Sequence, residues 1–134
     1  PSLAAWWAEA AQFRRGGLDR LMVPAPWTRT VEELCKDGVR GVVYAHELVQ
    51  VEPGTSPEFL ARAREAAIAA HAPFGFQLVG AFETAMRNDS ECLLLWAVES
   101  WPAWARYERE QRTDGEDAPH GFAMTSSDDL TASR

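Results

Sequence analysis

Apolar and polar residues alternate along this chain with two periods, and the switches between them mark its elements. Over residues 2–15, Leu3, Trp6, Trp7, Ala10 and Phe13 recur at helical spacing, with Glu9, Gln12 and Arg14 largely on the other side. That pattern predicts an amphipathic helix, capped by Ser2 and stopped by Gly16-Gly17. Leu21-Met22-Val23 reads as a short strand, which Pro24 and Pro26 confine to an edge or follow with a loop. Thr30 with Glu33 three residues later forms a capping-box pattern and predicts a helical turn over 30–36.

Beyond Gly38 and Gly41 the pattern sharpens. Residues 42–51 are rich in β-branched side chains and predict a strand. Ser56-Pro57-Glu58 supplies an N-cap, a proline at the first helical position and an acid in the first turn. The helix that follows carries Leu60, Ala63, Ala67 and Ala70 as its apolar stripe and ends at Pro73 and Gly75. Two further strands, 76–86 and 91–99, flank the turn-like Arg87-Asn88-Asp89-Ser90, and Ser100 caps a second helix over 101–112. Residues 121–125 can supply a short edge strand. The order β-α-β-β-α-(β) is that of a ferredoxin-like split βαββαβ unit, in the α+β class.

Three stretches follow from this reading: an N-terminal helix plus strand or loop (1–38), a ferredoxin-like domain (39–126), and an acidic Ser/Thr-rich tail (127–134) expected to be disordered. Ser2-Leu3-Ala4-Ala5-Trp6 and Ser100-Trp101-Pro102-Ala103-Trp104 share the pattern S-x-x-A-W at two helix starts. Either residues 2–26 are the end of a preceding repeat, or the similarity is accidental.

Composition narrows the function classes. The 134 residues carry 13 Lys+Arg against 20 Asp+Glu, a net charge of −7, so no basic stripe awaits nucleic acid. No apolar run approaches the length of a membrane span, and Pro1-Ser2-Leu3 does not begin a secretion signal. Cys35 and Cys92 form neither a metal-type spacing nor a disulfide framework. The expectation is a soluble cytoplasmic protein.

Val43-Tyr44, Glu52-Pro53-Gly54, Glu58-Phe59, residues 75–80 (GFQLVG) and residues 95–100 (LWAVES) occur in an order that resembles the NIPSNAP-type branch of the dimeric α+β barrel superfamily. The resemblance spans residues 42–112. It departs at Glu52, where a basic residue is common, and at the poor last strand. It implies two sheets packed face to face, in a homodimer or tandem pair, around a cavity for a small apolar molecule. Related branches include cofactor-independent oxygenases, haem-degrading enzymes, and cyclases or isomerases of biosynthetic intermediates. No catalytic set carries over from the family.

Strand alternation separates Tyr44, His46, Leu48 and Gln50 from the more apolar Val43, Ala45, Glu47, Val49 and Val51. The second set belongs under the helices, which points Tyr44, His46 and Gln50 into a barrel. His46 is then the candidate general acid/base and Tyr44 its orienting or donating partner. A one-residue slip of register replaces His46 by Glu47. Trp96, Leu48, Phe82, Glu83 and Gln50 complete the expected substrate-binding set, although Trp96 is equally suited to the core and Glu83 to a solvated strand end. His71, at a helix C-terminus, reads as structural, and His120 lies in the weak tail. No zinc spacing, P-loop, dinucleotide motif or nucleophile elbow occurs, so neither metal nor cofactor is expected. His46 or His71 is available as a haem ligand, but nothing marks either. Two functions remain: a cofactor-independent enzyme acting on an apolar or aromatic intermediate, or a non-catalytic assembly module using the six tryptophans at an interface.

Overall fold

The computed structural model describes residues 2–114 and 121–126. The chain forms α1 (Leu3–Ala10), β1 (Met22–Pro24), α2 (Val31–Lys36), β2 (Val43–Gln50), α3 (Ser56–His71), β3 (Phe76–Thr84), β4 (Glu91–Val98), α4 (Trp101–Asp114) and β5 (Gly121–Ser126). A 3-10 turn, Ala72–Phe74, links α3 to β3. All five strands join one sheet in the order β1-β3-β4-β2-β5, with every pairing antiparallel. Without β1, the order β5-β2-β4-β3 is compatible with a ferredoxin-like unit, and the α+β class is as expected. His120 and the stretch 127–134 lie outside the described residues.

Helices α3 and α4 cover one face. Val43, Ala45, Leu78, Leu94, Trp96 and Val98 meet Leu60, Ala63, Trp104 and Tyr107 there in one buried cluster. The valine and leucine side chains among them contribute about 1.5–3 kcal/mol each when fully buried, so this layer holds the fold together. Gly75 ends the 3-10 turn at φ +75°, a left-handed position that side chains rarely adopt. Gly41 permits a close approach: an added Cβ would stand 2.6 Å from the Val43 carbonyl oxygen and 2.7 Å from the Val98 nitrogen.

Boundaries differ in instructive places. Helix α1 ends at Ala10, well short of the predicted 15, because none of its residues is buried and no packing extends it. The cap of α3 is Thr55, one residue earlier than expected; Ser56 is already helical. The Thr55 hydroxyl donates to the Glu52 carbonyl, 2.7 Å, and makes no cap bond. At α2 the full capping box of Thr30 and Glu33 forms. Ser2 and Ser100 both cap, accepting from Ala5 and Ala103, but the two S-x-x-A-W helices then diverge. Trp104 is buried, whereas Trp6 and Trp7 stand half exposed.

Candidate functional site

The pairing of β2 with β4 sets which residues share a face. Val43, Ala45, Glu47 and Val49 are buried toward α3 and α4, while Tyr44, His46 and Leu48 point the other way. Opposite them stand Ala97, Leu95 and Leu93 on β4, and β3 adds Gly80 and Phe82 beside Leu95 and Leu93. His46, Tyr44, Leu48 and Phe82 are therefore brought together on the face that α3 and α4 leave uncovered. The expected register of β2 is the one observed.

His46 sits at the middle of this apolar floor, and burial lowers its pKa from 6.5 because the charged ring is the form that desolvation penalises. The neutral imidazole is thus favoured at neutral pH. The Tyr44 hydroxyl accepts from the Gly41 N–H at 3.3 Å, which leaves its own O–H to donate. Residues two apart on a strand lie roughly 7 Å apart, so one small molecule can touch both.

One end of the free face is closed by polar groups. Glu91 accepts from Arg20 Nε at 2.9 Å and from Gln50 Nε2 at 2.8 Å. Burial pushes the Glu91 carboxyl up, but bonds from Gln50, Arg20 and Thr84 and the charge of Arg20 outweigh it and hold it below its ordinary value. Gln50 thus serves an ion-pair cluster, with its amide already engaged.

Two expected site residues are not on this face. Trp96 pairs with Ala45 and lies fully buried under the helices, so it cannot wall a cavity around His46. Its indole N–H donates to Glu47 Oε2 at 3.0 Å, and its ring stacks on His71 at 4.1 Å. Glu83 pairs with Cys92, on the helix side at the far end of β3. The cause is a β-bulge: Leu78 and Gly80 pair with successive β4 residues, leaving Val79 extra and turning Phe82 and Glu83 onto the faces they occupy.

Sequence reasoning missed the buried network around Trp96. The Ala67 carbonyl accepts from His71 Nδ1 at 2.8 Å, so in the neutral ring Nε2 is left to accept from the Tyr107 hydroxyl, 3.3 Å away. Burial, with a further push from the Glu47 charge, raises the Tyr107 phenol to about 12. Glu47, His71 and Tyr107 are all buried, and their polar groups are bonded to one another or to neighbours within the core. The network's signal was polar residues at apolar phase: Glu47 within the buried set of β2 and His71 on the α3 stripe.

Among the described residues no group of three or more His, Cys, Asp or Glu is placed to hold a metal ion, and no helix is long and apolar enough to cross a membrane. Cys35 is exposed and Cys92 buried, both as thiols. No protein family, characterised protein or solved structure matches this chain.

Proposed function

We propose that this chain is one half of a dimeric α+β barrel. Its free sheet face closes on that of a second copy around a small apolar or aromatic molecule, with His46 as general acid/base. One observation carries the reading: a histidine biased toward its neutral form stands among Leu48, Phe82, Leu93 and Leu95 on the face that α3 and α4 leave uncovered. An apolar sheet face with one layer of helices needs a second layer, and a copy of the same surface supplies it. The NIPSNAP-like order of motifs supports the same geometry. In such a cavity His46 removes a proton beside a carbonyl, and the Tyr44 hydroxyl donates to the oxygen that gains charge. That chemistry serves cyclisation or isomerisation and requires no cofactor.

The test is proton exchange at carbon. Aromatic β-dicarbonyl compounds are incubated with the protein in D2O, and loss of the C–H signal is followed by NMR. The wild type accelerates exchange over buffer, and His46→Ala lowers the rate by about 10²–10⁴-fold with the fold retained. Exchange at the buffer rate, or a His46→Ala variant as fast as wild type, defeats the proposal.

A second reading, a non-catalytic assembly module, draws on α1, whose Leu3, Trp6 and Trp7 are all exposed. Under that reading deletion of residues 2–12 dissolves the assembly, and His46→Ala changes nothing.

A further inference from the structure

Away from His46, on the α3 side of the sheet, a cleft of about 310 Å³ opens at the outer edge of β3. Its walls include Trp27, Ile68, Leu78 and Val79, together with two arginines, Arg29 and Arg64. We propose that this cleft binds a small amphipathic carboxylate, its apolar body against Trp27 and Ile68 and its anionic end on Arg64.

The bulge at Val79 makes the space. The extra residue bends β3, and the segment before α2 closes over the bent edge. Ala25 N–H and the Thr28 hydroxyl both donate to the Ala81 carbonyl at 2.9 Å, and Arg29 Nη2 donates to the Leu78 carbonyl at 2.7 Å. These bonds occupy the carbonyls of Leu78 and Ala81 that the bent edge presents. What they leave lining the cleft is chiefly apolar side chain, with Arg64 among the lining residues.

The two arginines play different parts. Arg29 is pinned, with Nη2 on Leu78 and Nη1 on Asp37 at 3.1 Å. The Arg64 side chain has no hydrogen bond or ion pair among the described residues, and it stands one helical turn from Ile68 on the same side of α3. Asp37 already matches the charge of Arg29, so the unmatched charge among the lining residues is that of Arg64, which favours a guest of opposite sign. A cation is repelled there, and a neutral guest leaves Arg64 unmatched. The apolar walls disfavour a small, fully hydrated anion. The volume is at the low end of the range of about 300–1,000 Å³ typical of ligand sites, which suits a single metabolite-sized molecule. A planar carboxylate matches a guanidinium with two parallel hydrogen bonds.

Benzoate, 3-phenylpropanoate and octanoate are the probes, with 3-phenylpropanamide as the uncharged isostere. Two-dimensional ¹H–¹⁵N NMR of the full chain follows the indole N–H of Trp27 and the amides of Val79 and Gly80. At least one carboxylate produces saturable shifts at these three positions. The amide analogue binds about tenfold more weakly or worse, the scale of one lost charge-assisted bond. Arg64→Gln, an exposed helix substitution that leaves the fold intact, weakens the carboxylate by a similar factor and the amide hardly at all. The proposal is overturned if no carboxylate gives saturable shifts, if amide and carboxylate bind alike, or if Arg64→Gln binds the carboxylate as tightly as wild type.

Discussion

The two faces of this sheet are built from the same strands, yet they solve opposite problems. On the helix side the polar groups of Glu47, Trp96, His71 and Tyr107 satisfy one another, and Trp96 is fully buried. On the free side His46 stands half-buried among leucines and Phe82, with its charged form disfavoured. A packed face with satisfied polar groups is what stability requires. A partly covered apolar face carrying a titratable group is what binding and chemistry require. Adjacent residues of β2, His46 and Glu47, thus belong to different tasks, separated only by the pleat.

The sharpest way to break that contrast is to truncate one side chain on each face. Trp96→Ala leaves a large cavity under the helices and costs about 3–5 kcal/mol, enough to unfold a marginal domain. Leu95→Ala costs clearly less in the isolated subunit, since its side chain is already partly in water. Urea denaturation at dilutions that keep the subunits apart measures both, and equal losses would show that the faces are packed alike. Next in size is Tyr107→Phe, which removes the hydroxyl that serves His71 and costs about 0.5–1.5 kcal/mol.

These contrasts were only partly legible in the chain. The alternation of β2 favours Tyr44, His46 and Leu48 on one face against Val43, Ala45 and Val49, but the polar Glu47 within the apolar set left a one-residue slip open. Residues 93–96 are apolar without a break, and an unbroken run carries no period to tell which face each residue takes. Trp96 went to the helix side because it pairs with Ala45, a fact of the sheet and not of the local sequence. Gly80 within the β3 pattern was a usable sign of the bulge, since an isolated glycine in a strand often marks one. The partners Arg29 and Arg64 are 35 positions apart and left no sign at all. The cap of α3 was misplaced because Thr55 and Ser56 are both able cap residues, and the turn over 52–55 chose between them.

Titration offers smaller tests. The Glu91 carboxyl is held below its ordinary value in the folded state, so the unfolded chain binds its proton more readily. Its contribution is fully present above the unfolded value of 4.5 and is lost as pH falls from there through the lower folded value. Glu91→Gln therefore lowers stability at pH 7 and narrows the difference from wild type in acid, as urea midpoints across pH will show. His46 has the opposite charge but the same slope: its folded pKa lies below 6.5, so stability declines as pH falls below 6.5. In His46→Ala that part of the decline disappears.

The smallest effect is chemical and leaves stability untouched. Burial, with Glu83 and Glu91 adding negative charge nearby, raises the Cys92 thiol to about 11, while Cys35 is exposed. Maleimide labelling of the native protein modifies Cys35 alone, and Cys92 reacts only after denaturation. Rapid double labelling of the native protein would show that the helix-covered side opens far more readily than its packing implies.

What covers the free face decides whether the barrel closes. Sedimentation equilibrium at micromolar concentration, on the wild type and on Leu95→Lys, tests this most directly. Leu95 pairs with His46 at the centre of that face, and a lysine there introduces like charges across a two-fold interface. The wild type sediments as a dimer and Leu95→Lys as a folded monomer. A wild type that is monomeric at these concentrations, or a Leu95→Lys variant that remains a dimer, contradicts the closed barrel.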